Sequence, residues 1–261
     1  MKFYFGCGLP RSGSTLLTAI LNQNPDIHAG VMSPVLELIQ VSAMVLSNEP
    51  AIVAPKPYIF QSIIRSNIVN YYSDRVESII IDKNRVWPNH INLIKKYITP
   101  NPKLIGTTRN VLDILASFIT LIHKGETVSY VDKGLMEYGV DLTDDNRCHF
   151  LMSSDNILFR SLESFKEAYK RNHKHHIHLI EYDDLISKPS EVMGRIHEFL
   201  ELDPFTYTFN NITPIEREDD SYYGLPTMHE VRPELKKISK PYTEVLSKDI
   251  IDKYKDYKYY D

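Results

Sequence analysis

Short apolar runs alternate with amphipathic stretches along most of this chain. The runs Lys2–Gly8, Ser78–Asp82, Lys103–Thr108 and Ile177–Glu181 are too short for buried helices and predict strands. A shorter piece at Ile27–Gly30 predicts a fifth. Helical spacing of apolar residues predicts helices over Gly13–Asn22, Pro34–Leu46, Pro57–Tyr72, His90–Ile98, Val111–His123, Asp145–Arg171 and Ser190–Leu200. In the sixth, Leu151, Leu158, Leu162, Phe165 and Tyr169 fall on one face. Ser33-Pro34 pairs a capping hydroxyl with a proline at the first helical position. Strands and helices that alternate in this way define an α/β fold, a parallel β-sheet flanked by helices.

Two regions depart from the alternation. Segment 124–144 holds helix breakers and charges and reads as a surface excursion. Residues 203–243 contain Pro204, Pro214, Pro226, Pro233 and Pro241 and lack periodicity, which in a compact domain suits a lid. The tail Asp252–Asp261 mixes lysine, aspartate and tyrosine as a solvated helix end would. No repeat or linker interrupts the chain, so residues 1–261 are read as one domain.

Composition narrows the function. Lysine and arginine number 30 against 34 acidic residues, a net charge of −4. No global basic field points to nucleic acid or a membrane surface, so any anion site must be a local cluster. Cys7 and Cys148 form no disulfide framework, which favours a reducing, cytoplasmic location. The first residues run directly into strand and loop, and no window of eighteen apolar residues occurs, so neither a leader nor a membrane span is expected. Asn211-Ile212-Thr213 is a glycosylation sequon, but the cysteine usage argues against secretion. Nothing in the sequence sets an oligomeric state.

The chemistry begins at Gly8-Leu9-Pro10-Arg11-Ser12-Gly13-Ser14-Thr15, between the first strand and the first helix. It has the frame of a phosphate-binding P-loop, G-x-x-x-x-G-K-[ST], with Ser14 in place of the lysine and the basic residue moved back to Arg11. Loop amides and the helix dipole can hold an anion there. In a triphosphatase that lysine reaches the β- and γ-phosphates, so its absence suits a shorter anion. Three further anchors follow. Lys83 comes straight after the second long strand, Arg109 ends the next with Ser117 eight residues on, and Glu181-Tyr182 closes the last. In an open α/β sheet, strand ends of this kind face one crevice.

The loop resembles the 5′-phosphosulfate loop of the sulfotransferases, enzymes that move a sulfuryl group from 3′-phosphoadenosine 5′-phosphosulfate to a hydroxyl or amine. The Arg109…Ser117 pair resembles their 3′-phosphate site. The 26 residues from Lys83 to Arg109 match the spacing in the tyrosylprotein sulfotransferases, which the chain resembles more than the cytosolic ones. Thr227 precedes Lys240-Pro241 by thirteen residues, as a serine precedes Lys-Pro in those enzymes. The resemblance spans roughly residues 3 to 241 and implies a P-loop-like fold, the nucleotide as cosubstrate, a hydroxyl-bearing acceptor and no metal.

It also implies roles for individual residues. Arg11, Ser12, Gly13, Ser14 and Thr15 would hold the 5′-phosphosulfate, with Lys83 and Thr227 stabilising the leaving side. Arg109, Ser117 and either Arg232 or Lys240 would hold the 3′-phosphate, with Tyr182 near it or the adenine. The acceptor's base is where the pattern departs from both branches: their glutamate and histidine positions are Met32 and Arg85 here. Glu37 is the candidate, with His90 and His28 as further options. His173, His175, His176 and His178 do not form a metal pattern, since alternate residues of a strand start point to opposite faces. Two competing readings stay open at this stage. A P-loop kinase or triphosphatase would need Asp82 to hold magnesium, and a non-catalytic nucleotide binder would explain Met32 and Arg85.

Overall fold

A computed structural model describes residues 1–48, 50–216, 218–236 and 240–258. Parts of the predicted lid (217 and 237–239) and of the tail (259–261) therefore lie outside the described residues. In chain order the elements are β1 (Lys2–Gly8), α1 (Ser14–Leu21), β2 (Ile27–Ala29), α2 (Val35–Ser47), α3 (Pro50–Val53), α4 (Pro57–Tyr71) and β3 (Ile79–Lys83). There follow α5 (Ile91–Tyr97), β4 (Leu104–Thr108), α6 (Val111–Lys124), α7 (Tyr130–Glu137), α8 (Asp144–Leu151) and α9 (Ile157–Lys170). Last come β5 (Ile177–Glu181), α10 (Tyr182–Ser187), α11 (Pro189–Leu200) and α12 (Lys248–Tyr254).

The five strands form one parallel sheet in the order β2-β3-β1-β4-β5. Side chains of a strand point alternately to its two faces, and the core divides accordingly. Phe3, Phe5 and Cys7 pack with α2, α4, α6 and α9, whereas Tyr4, Ile81, Ile105 and Ile180 pack with α1 and α11. Trp87, fully buried, meets Phe5 edge-on at 4.8 Å. Because β1 is central and pairs with both β3 and β4, the carboxyl ends of all three lie side by side.

Several expectations change. The helix expected over Asp145–Arg171 is two, α8 and α9, broken after Leu151. Asn156 takes up the new N-terminus, its side chain accepting from the Leu158 amide. Leu151 and Leu158 still enter one core, so the apolar rhythm runs through the break unmarked. The excursion at 124–144 contains α7, capped by Ser129 through the Asp132 amide. Lys83 is the last residue of β3 and not the first beyond it. The tail expected to be solvated carries Tyr254, which is buried and hydrogen-bonded to His149. Among the described residues no helix is long and apolar enough to cross a membrane.

Candidate active site

The loop after β1 is shaped by close backbone approach. At Gly8, φ is 137°, and a Cβ would lie 2.4 Å from Thr107 Oγ1, so only glycine fits beside β4. Arg11 and Gly13 take positive φ angles of 61° and 86°, turning the chain into α1. The Ser12 hydroxyl is buried, bonded to the Leu9 carbonyl (2.5 Å), the Thr107 carbonyl (3.0 Å) and Thr107 Oγ1 (2.6 Å). It ties the loop to β4 and does not face the cavity. No side chain caps α1 at Gly13, which leaves its first-turn amides to serve an incoming anion.

A cavity of about 580 Å³ opens in front of this loop, within the size range of small-molecule sites. Most of the residues singled out from the sequence line it. Arg11, Gly13, Ser14 and Thr15 come from the loop, Arg109 and Ser117 from β4 and α6, and Tyr182 from the start of α10. Thr227, Arg232 and Lys240 come from the chain between α11 and α12. The Arg11 Nε donates to Ser117 Oγ at 3.2 Å, and its terminal nitrogen donates to the Met228 carbonyl. Arg109 donates to the Arg11 carbonyl at 3.1 Å and lies over the Tyr182 ring, 4.5 Å from its centroid. That ring abuts Gly13, where a Cβ would sit 2.8 Å from it. Burial, with Arg109 close by, lowers Arg11 to about 10, which leaves it charged at neutral pH.

Lys83 does not line the cavity. It pairs in register with Gly6, and its stem runs over that glycine, where a Cβ would meet Lys83 Cβ at 3.4 Å. Its ammonium is buried without a hydrogen-bond partner among the described residues. Burial, then the repulsion of Arg85, lowers it to about 7, against the attraction of Glu218. Arg85, two residues on, reaches the cavity wall, its Nε also buried and unpartnered among the described residues. In the sequence Arg85 stands only at the position of a lost base.

The base candidates lie elsewhere. Glu37 is exposed, accepts from Asn84 Nδ2 at 3.1 Å and is not part of the cavity wall. His90 pairs with Gln40 at 3.2 Å, and His28 is buried on β2 near Glu216. Met32 is exposed. Three residues to which the sequence assigns no role stand close to the cations: Glu218, Asp220 and His229, of which His229 lines the cavity. They fall in a stretch without strand or α-helical periodicity, so no spacing links them.

Asp82 is spoken for. Ser33 and Tyr72 donate to its Oδ2 and Trp87 Nε1 to its Oδ1, the latter two at 2.8 and 2.7 Å. Both oxygens therefore hold the core together, and the carboxylate a magnesium-dependent kinase would need is engaged. Among the described residues, no three histidine, cysteine, aspartate or glutamate side chains are grouped to hold a metal ion. His176 of the histidine run instead bonds the Pro102 carbonyl at 2.9 Å.

A model of the Sulfotransferase family matches residues 4–207. The chain belongs to that family, whose enzymes transfer a sulfuryl group from 3′-phosphoadenosine 5′-phosphosulfate to an acceptor. Among solved structures, the mouse sulfotransferase SULT7A1 complexed with PAP is similar over 98% of this chain and 82% of its own, at 11% identity and a TM-score of 0.56. The sulfotransferase domain of the Synechococcus PCC 7002 olefin synthase is similar over 99% and 88%, at 16% identity and a TM-score of 0.49. At such identities the first of these likenesses speaks for the fold. No curated protein sequence matches the chain.

Proposed function

We propose that this cavity holds 3′-phosphoadenosine 5′-phosphosulfate and passes its sulfuryl group to a hydroxyl-bearing acceptor without a metal. The observation that carries this reading is the convergence of Lys83, Arg85, Arg11 and Arg109 at the carboxyl ends of β3, β1 and β4, beside an uncapped helix N-terminus. Burying the unpartnered Nε of Arg85 at the cavity wall costs free energy that a bound anion recovers.

The donor supplies an activated sulfuryl group and its own leaving phosphate. The amides after Gly13, with Arg11, hold the 5′ side. Arg109, Ser117 and Lys240 or Arg232 hold the 3′-phosphate, and Tyr182 orients Arg109 and packs against the nucleotide. Lys83 sits behind the loop and counters charge that grows on the leaving oxygen, with Thr227 as a hydroxyl donor from the cover. A cation fixed before reaction contributes most where charge develops. The residues 203–243 act as the cofactor-covering segment of one domain, and the two buried free thiols support a cytoplasmic setting.

The test is direct. The chain is incubated with 3′-phosphoadenosine 5′-phospho[³⁵S]sulfate, with no divalent ion, against panels of carbohydrate, phenol, lipid and peptide hydroxyls. Label passing to at least one panel supports the reading, and release of label only when magnesium is present sinks it.

A further inference from the structure

With the donor placed as proposed above, the acceptor's proton still needs a destination, and neither the glutamate nor the histidine position of the resembled enzymes supplies one. We propose that His229, oriented by Asp220, is the base that takes it. The inference rests on the donor reading and adds a residue to it.

His229 lines the same cavity as Arg11, and the segment carrying it is pinned to the phosphate loop by the bond from Arg11 to the Met228 carbonyl. Asp220 grips it twice: one carboxylate oxygen accepts from the His229 amide at 3.0 Å, the other meets ring Nδ1 at 2.6 Å. A carboxylate only accepts, so the proton of the neutral ring stays on Nδ1 and the Nε2 lone pair is left bare. Nε2 is buried and hydrogen-bonded to nothing among the described residues. The side chain is 7% exposed. A buried ring nitrogen of this kind, set by a carboxylate behind it on a residue that lines the reaction cavity, has the arrangement of a general base.

The surroundings suit the task. Burial lowers the proton affinity of the ring, and Arg85 adds to that, so neutral imidazole is favoured near pH 7. Glu218, whose Oε2 lies 3.5 Å from Nε2, and Asp220 oppose this and stabilise the imidazolium once it forms. Tyr223, against the ring at 5.7 Å, completes the shell. The step balances simply. The acceptor oxygen bonds to sulfur while its proton passes to Nε2. The bond from sulfur to the phosphate's bridging oxygen breaks, and that oxygen keeps the electron pair and leaves with the nucleotide.

The test compares the full-length chain with His229→Asn, which keeps a donor where Nδ1 stood and so leaves Asp220 satisfied. Two probes are used: release of sulfate from 3′-phosphoadenosine 5′-phosphosulfate with water as acceptor, and ¹⁵N spectra of the histidine rings with 3′-phosphoadenosine 5′-phosphate bound. The variant is expected to bind that nucleotide like the wild type, to release sulfate about 10²–10⁴-fold more slowly and to lose the acid limb of the pH–rate profile. The wild-type spectrum should show His229 protonated on Nδ1 and bare on Nε2 at pH 7.5. Sulfate release within about threefold of wild type, or a doubly protonated ring at that pH, overturns the proposal while the donor reading stands. If the wild type fails to bind the nucleotide, the donor reading falls and this falls with it.

Discussion

Replacing Lys83 with methionine slows sulfuryl transfer by about 10²–10³-fold and leaves affinity for 3′-phosphoadenosine 5′-phosphate nearly unchanged. Methionine fills the channel over Gly6 with an apolar chain of similar length, so the fold keeps its packing. What disappears is a buried ammonium without a hydrogen-bond partner among the described residues. The variant should therefore be at least as stable as the wild type at neutral pH, and activity and stability move in opposite directions. The pH dependence of unfolding gives a second signature. The folded-state value of Lys83 is lowered from 10.5 to about 7, so between those values the folded chain binds fewer protons than the unfolded one. Stability then rises with pH through that window and declines as pH falls toward 7. Lys83→Met removes this slope, as thermal unfolding at a series of pH values would show. Turnover that survives the substitution would remove Lys83 from the chemistry.

Arg109→Gln is expected to weaken binding of 3′-phosphoadenosine 5′-phosphate by about 30- to 4,000-fold, the range for truncating one partner of a buried charge-assisted pair. The effect is specific to one phosphate. Adenosine 5′-phosphosulfate, which lacks the 3′ group, should lose little affinity in the same variant. Arg109 also stacks on Tyr182 and donates to the Arg11 carbonyl, so a general collapse of the site would weaken both nucleotides alike. Calorimetry with the two ligands separates these outcomes, and an equal loss for both contradicts the assignment of Arg109 to the 3′-phosphate.

Local chemistry was legible in the sequence and long-range chemistry was not. The strand, loop and helix around Gly8–Thr15 could be read because each residue's role depends on neighbours a few positions away, and the structure has that arrangement. The adjacency of Arg11 and Arg109 followed from strand ends sharing one crevice, and the β3-β1-β4 order supplies it. The break between α8 and α9 was hidden, because Leu151 and Leu158 keep the apolar rhythm across a turn that a single Asn156 cap defines. The burial of Lys83 behind the cavity wall could not be foreseen either, since it depends on Gly6 of another strand leaving room.

The chain between α11 and α12 was the least readable. Asp220 and His229 lie nine residues apart around the turn at Gly224, where φ is 61°, and nothing periodic links them. Their pairing sits beside Met228, whose carbonyl accepts from Arg11. Glu37 lies at the start of α2, yet Asn84 holds its carboxylate outside the cavity wall.

A cleft built for one 5′ phosphoryl arm and a separate 3′ phosphate discriminates between nucleotides by where their phosphates sit. Isothermal titration of the wild-type chain at pH 8, with 3′-phosphoadenosine 5′-phosphate and with ATP, each with and without magnesium, tests it most directly. The first nucleotide should bind at least about 100-fold more tightly and be indifferent to magnesium. Equal affinities, or binding that needs magnesium, would contradict the account.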